Sequence, residues 1–253
     1  MCCFSIARPT GFFDRWFPPK VHVSATNIYA RMTAPGIQAL AYGMDLDTSA
    51  EVAMILPIPV APGSGEDAVT FLDLHAYPRM FAELAALFAP PEMRAMRSAP
   101  ANAMPQSVTL TVHKVGSFIA SYVPTRDDFS RLDPRFRMPG VLFDAVPHYA
   151  DYGFAVFQLE AGKTTIHPMA FVFPTREREK LFLPTVHLHD GTFHREADFD
   201  HALYYQAPRD HAGDETAWGR VNKDYGKLVD LATPMHRRTL RGTLPNQDTW
   251  LSA

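Results

Sequence analysis

Residues 51–60 read Glu-Val-Ala-Met-Ile-Leu-Pro-Ile-Pro-Val, an apolar run that two prolines bring to a stop. A short apolar run bounded by turn residues is typical of a buried strand. Proline has no backbone N–H and cannot continue a central sheet ladder, so Pro57 and Pro59 mark the end of the strand. The stretch therefore predicts a short strand over residues 51–58 in a fold with many such strands.

Prolines also end apolar runs later in the chain, where Pro124 and Pro174 each follow such a run. Together with 51–58, the predicted strands are 21–32, 37–46, 68–74, 108–113, 117–123, 152–159, 164–173 and 181–189. Apolar spacing of three and four residues predicts short helices over 77–88, 127–132 and 216–231. The sequence thus predicts an α+β fold with mostly antiparallel strands and a few short helices.

The domain organisation is predicted from one small, polar, proline-bearing stretch, residues 98–106. It separates an N-terminal strand-rich half with a helix, 1–97, from a C-terminal strand-rich half, 107–253, and we expect both to form one compact domain. With 253 residues, 47% of them hydrophobic, the chain can bury a core without disulfides or metal.

The net charge and the cysteine content restrict the binding partners and the cellular compartment that we expect for the protein. A net charge of −3 argues against a nucleic-acid surface, and no apolar stretch approaches the length of about 18 residues that a membrane helix needs. The two cysteines, Cys2 and Cys3, are adjacent, and a disulfide between neighbours is strained. Free thiols suit a reducing compartment, so we expect a cytoplasmic protein. Exposed strand edges would allow copies to associate as a homo-oligomer.

Several short segments carry a resemblance to a known family. They are the cysteines near the N-terminus, the strand end Met54–Pro59, the helix Phe81–Phe88, the segment Val115–Phe118 and the stretch Tyr149–Leu159. Over residues 1–175 the chain resembles a bacterial family of unknown function, whose members show V-L-P-V-P-like and V-G-P-Y/F-like segments. The chain lacks the export signal of that family. The resemblance implies a fold of mixed strands and helices and implies no reaction.

The richest histidine pattern lies in Val186–His194, which reads Val-His-Leu-His-Asp-Gly-Thr-Phe-His. Asp190–Gly191 between alternating residues predicts a two-residue hairpin turn. In that register His187 faces His194 across the ladder, and His189 lies on the same face as His187. Directly opposed Cβ atoms lie about 4.5–5.5 Å apart, so the pattern predicts three imidazoles that converge on one surface.

Three neutral imidazoles can bind zinc or copper and leave one position open. A thiolate from Cys2 or Cys3 would make the ligand set softer and favour copper. Copper predicts a metal-dependent oxidoreductase, whereas zinc predicts a hydrolase that activates water; the substrate would be a small molecule or a peptide. The remaining candidates, interpreted as structural, are His22, His75, His113, His167 and His201.

Two other functions remain open. If Met1 is removed, Cys2 carries a free α-amino group that can act as base to its own thiol, as in N-terminal-nucleophile hydrolases. Alternatively, the histidines belong to a solvated face of a non-catalytic binding module. The chain contains no P-loop, dinucleotide-binding or nucleophile-elbow motif, so these enzyme classes are not indicated.

Overall fold

The computed structural model describes residues 2–6, 21–61, 63–90, 113–115, 118–133, 144, 146–188 and 192–253. The strands are β1 (Cys2–Ile6), β2 (Val21–Ala34), β3 (Ile37–Thr48), β4 (Val52–Ile58), β5 (Thr70–Leu72), β6 (His113–Val115), β7 (Phe118–Val123), β8 (Gly153–Leu159), β9 (Gly162–Thr165), β10 (Met169–Pro174), β11 (Lys180–Leu183), β12 (His187–Leu188), β13 (Glu196–Gln206), β14 (Glu215–Thr216), β15 (His236–Pro245) and β16 (Thr249–Ser252). The α-helix α1 spans Met80–Ala86, and short 3₁₀ helices span Asp127–Arg131 and Pro147–Tyr149.

Most strands belong to two large sheets. One has six strands in the order β12-β1-β4-β8-β7-β6, and the other has eight, in the path β14-β15-β13-β2-β3-β10-β5 with β9 also paired to β3. Most neighbours are antiparallel, but β12 runs parallel to β1 and β13 runs parallel to β2. Both sheets interleave strands from the segments 1–97 and 107–253, since β4 lies between β1 and β8, and β3 between β2 and β10.

Strand β4 explains why the strands read as continuous apolar runs. All seven of its residues are buried. Val52, Met54 and Leu56 belong to the main core, which also contains residues of the eight-stranded sheet. Ala53 and Ile55, on the opposite face, belong to a second cluster. A strand covered on both faces must be apolar at every position, because successive side chains point to opposite sides.

Each sheet therefore carries an outer apolar cover. On the six-stranded sheet the outer cluster includes Phe129 and Tyr149 from the two 3₁₀ helices. On the eight-stranded sheet it includes Leu84 of α1 and Tyr225 and Leu228 from the irregular segment 221–235. The molecule is thus a layered sheet structure with one central core and two outer ones.

The predicted α+β class is wrong, because the fold is nearly all sheet. The predicted helix over 77–88 is confirmed as α1, but the one over 216–231 is not helical. Residues 225–227 have positive φ values of 46°, 69° and 69°, which a right-handed helix excludes. The guanidinium of Arg31 donates to the carbonyl oxygens of Leu228 and Lys227, at 2.6 and 2.9 Å, and holds this turn in place.

The strand boundaries of the first half follow the prediction well, since β2, β3 and β4 cover most of the predicted ranges. The predicted strands 152–159 and 164–173 follow one another along the chain, which would suit a hairpin, but β8 pairs with β4 and β7, whereas β10 pairs with β3 and β5. The predicted linker 98–106 lies outside the described residues. Among the described helices, none is long and apolar enough to cross a bilayer.

Gly43 sets how closely α1 approaches the eight-stranded sheet. A Cβ atom at this position would lie 2.6 Å from two ring carbons of Phe81 in α1. We expect Gly43→Ala to lower the free energy of unfolding by about 1–3 kcal/mol through overpacking, measured by urea denaturation. In a Phe81→Ala background the ring is absent, so the same substitution should cost little; an equal cost in both backgrounds would contradict this packing.

Candidate functional site

Two histidines from different sheets meet where the central core reaches its edge. His187 lies in β12, the edge strand of the six-stranded sheet, and His201 lies in β13 of the eight-stranded sheet. Their Nε2 atoms are 3.0 Å apart. His201 is 2% exposed, and His187 is half-buried. Because only one proton fits between two nitrogens at this distance, one ring donates and the other offers a lone pair.

Phe199 forms the apolar wall of this histidine pair. Its ring centroid lies 4.5 Å from that of His187 and 5.1 Å from that of His201. Phe199, His201 and Leu203 alternate along β13 and share the face that points to the central core. The two imidazoles therefore meet in a largely apolar environment, where electrostatic interactions are stronger than in water.

The backbone of His187 is held by the side chain of Asn246, which is 6% exposed. The His187 N–H donates to Asn246 Oδ1 at 2.7 Å, and Asn246 Nδ2 donates to the carbonyl oxygens of His187 and His194, at 2.9 and 2.8 Å. An edge strand leaves one row of backbone groups without a strand neighbour. The Asn246 amide takes the place of that neighbour and fixes the position of His187.

Asp248 extends this support to the residues before β12. Its Oδ1 accepts the backbone N–H groups of Thr185 and Val186, at 3.0 and 3.2 Å, and its Oδ2 accepts the hydroxyl of Tyr149. Burial, with the nearby charge of Asp248, raises the pKa of Tyr149 well above its usual value, so this hydroxyl remains a donor. The loop between β15 and β16 thus anchors the strand that carries His187.

The backbone register of the N-terminal strand distinguishes the two cysteines. In the parallel register of β1 and β12, Cys2 is the partner of His187 and Cys3 is the partner of Leu188. Leu188 belongs to the outer cluster of the six-stranded sheet. Position 2, and not position 3, therefore shares the row of His187. Met1 lies outside the described residues, so the use of Cys2 as an N-terminal nucleophile stays a prediction.

The other predicted histidine ligands fall elsewhere. His189 and the predicted turn Asp190–Gly191 lie outside the described residues. Residues 192–195 form no strand and His194 is exposed, so the prediction that His194 faces His187 across a hairpin is wrong. In the part of the chain that is described, no group of three or more His, Cys, Asp or Glu side chains could hold a metal ion.

The sequence suggests a structural role for His201, whereas the fold places it in contact with His187. Its alternation with Phe199 and Leu203 indicates an inward-facing imidazole, which is usually structural. The signal that distinguishes it is the second histidine opposite, and this depends on how the two sheets pack. Asn246 and Asp248 carry no sequence signal, because their roles come from contacts with residues about 60 positions away.

The chain matches no protein-family model and no curated protein. Solved structures that it resembles include baculovirus P35, with 12% identity over 93% of this chain and 98% of that chain and a TM-score of 0.49. They also include P35 in a complex with caspase-8, with 12% identity, coverage of 90% and 96% and a TM-score of 0.48. At identities this low, function must be argued from the residues of this chain.

We expect Asn246→Ala to destabilise the fold by about 1–3 kcal/mol, because it leaves backbone groups of His187 and His194 without their partner. Urea denaturation measures this cost, and hydrogen exchange at the His187 amide should become faster. The matched control is Asn222→Ala at an exposed position, which should change stability by no more than about 0.5 kcal/mol. Equal effects of the two substitutions would refute the role of Asn246.

Proposed function

We propose that the chain binds a transition metal, with copper as the preferred ion, through His187 and His201, and that it acts as a metal-dependent oxidoreductase. The observation that carries the proposal is the 3.0 Å separation of the two Nε2 atoms. Two imidazole ligands of a tetrahedral zinc ion, each at about 2.0–2.1 Å from the metal, would be about 3.3–3.4 Å apart. The pair needs only a small widening to accept an ion in place of the shared proton.

The rigidity of the two ligand-bearing strands supports this function. His201 lies within an eleven-residue strand that pairs on both sides, and His187 is held by the Asn246 amide. Ligands fixed before the metal arrives lose little conformational freedom on binding. The half-buried side of His187 is where a small-molecule or peptide substrate would approach.

Copper is preferred over zinc on two grounds. The register puts Cys2 next to His187, and a thiolate with two imidazoles is a donor set that suits copper. The wall formed by Phe199 favours a complex of low net charge, since the cost of burying charge rises steeply with its size. A monovalent copper ion with one thiolate is neutral, whereas a zinc ion with the same ligands is a cation. A reducing cytoplasm would keep this thiol available.

The test is metal binding by untagged protein. We expect about one copper ion per chain after dialysis against copper, measured by elemental analysis, with a much weaker affinity for zinc. His187→Ala and His201→Gln should each lower copper affinity at least tenfold, and Cys2→Ser should narrow the difference between copper and zinc. His75→Ala is the control, because the His75 side chain is 62% exposed and lies elsewhere in the chain.

Stoichiometric copper in the His187→Ala/His201→Gln double variant would refute this assignment. Selective zinc binding that depends on the same two histidines would support the metal site, but it would favour a zinc-dependent hydrolase over a copper-dependent oxidoreductase. Unchanged binding in the Cys2→Ser variant would remove the thiolate from the ligand set.

A further inference from the structure

A second arrangement of reactive groups lies at the β14 edge of the eight-stranded sheet. Thr216 ends the edge strand β14 and is exposed, and its partner across the antiparallel ladder is His236 of β15, which is 3% exposed. The Thr216 Oγ1 atom lies 3.0 Å from Nδ1 of His236. A hydroxyl that reaches solvent is thus hydrogen-bonded to an imidazole inside the protein.

The protonation of His236 follows from its second contact. The Nε2 atom of His236 lies 3.3 Å from the carbonyl oxygen of Ala207. A carbonyl oxygen only accepts hydrogen bonds, so in the neutral ring the proton is on Nε2. Nδ1 then carries a lone pair that faces Thr216 Oγ1. The order of hydroxyl, imidazole and orienting acceptor is the arrangement by which proteins activate a nucleophile.

The surroundings keep this imidazole in place. The ring of Tyr205 lies against it with a centroid distance of 5.1 Å, and the Tyr205 hydroxyl donates to Asp214 at 2.7 Å. Arg238 donates two further hydrogen bonds to the Asp214 carboxylate, at 2.8 and 3.1 Å. The base is therefore packed against an aromatic ring that is itself anchored by a partly buried ion pair.

The approach to Thr216 has both charge and apolar surface. Asp210 Oδ2 lies 3.5 Å from Thr216 Oγ1, farther than the imidazole nitrogen at 3.0 Å, so a carboxylate flanks the hydroxyl. Trp218, two residues along the chain, presents a large apolar side chain that is 70% exposed. Such a surface suits the alkyl or aryl part of a small uncharged ester.

We propose that Thr216 is a nucleophile that accepts acyl groups from small activated esters, with His236 as its general base. The Thr216 oxygen bonds to the ester carbonyl carbon while its proton passes to Nδ1 of His236. The bond to the leaving alcohol oxygen then breaks, and that oxygen takes the proton from Nδ1. Water attacks the acyl-threonine by the same route, giving the free acid and the original hydroxyl.

The test uses p-nitrophenyl acetate with the full chain. We follow p-nitrophenolate release, and we map the acetyl group by mass spectrometry because cysteine and lysine side chains also accept it. Acetyl should appear on Thr216, and His236→Asn should slow acetylation at this position about a hundredfold or more, the usual contribution of a general base. Thr216→Ser should retain acetylation at position 216, and Thr216→Val should remove it while acetylation of the cysteine and lysine side chains continues.

The matched control is Thr243→Val. Thr243 is also an exposed threonine of an edge-region strand, but its hydroxyl donates to Asp198 Oδ1 at 2.6 Å and has no imidazole beside it. Wild-type and Thr243→Val proteins should be acetylated at Thr216 equally. Acetylation of Thr216 no faster than that of Thr243, or acetylation of Thr216 at the wild-type rate in the His236→Asn variant, would overturn the proposal. Unfolding free energies equal to wild type for the Thr216 variants exclude loss of structure as the cause.

Discussion

Burial of both faces of both sheets is the constraint on which the rest of the structure depends. Each strand of the interior must supply one apolar row to the central core and another to an outer cluster. Strand β3 shows how this is met. Its inward positions carry large side chains such as Leu40 and Tyr42, whereas the outward positions near α1 are Ala39, Ala41 and Gly43. The small outward row lets a helix lie close to the sheet, and the large inward row fills the space between the sheets.

The same constraint explains which parts of the fold the sequence predicts. Strand β4 is recognisable because a continuous apolar run stopped by prolines has few alternatives to a buried strand. The segment 221–235 misleads for the same reason. Its buried residues Val221, Tyr225, Leu228 and Val229 have the spacing of a helix face, yet the segment covers the sheet without helical backbone. Apolar spacing reports burial, whereas the left-handed turn there depends on Arg31, which is distant in sequence.

Of the two histidines in the candidate metal site, only His187 could be predicted as a ligand from the sequence. His187 stands out in a dense histidine pattern, and the adjacent cysteines mark the N-terminus as unusual. The contact with His201 joins two sheets, so no pairing rule along the chain could reveal it. In the described residues the predicted hairpin ladder is not formed: residues 192–195 are not a strand, and the Asn246 amide bonds to the backbone of His187 on the side away from β1. Turn signals in the sequence cannot report this contact, because Asn246 is distant along the chain.

The Asn246 amide has a consequence for how the molecule behaves in a crowded solution. A bare edge strand is a template onto which a strand of another chain can add, and this is a common start of aggregation and of domain exchange. At His187 the groups that would receive such a strand already bond to a side chain of the same molecule. A side-chain amide can occupy one residue of an edge but cannot propagate a ladder. The six-stranded sheet is therefore closed to growth at this point by a single residue.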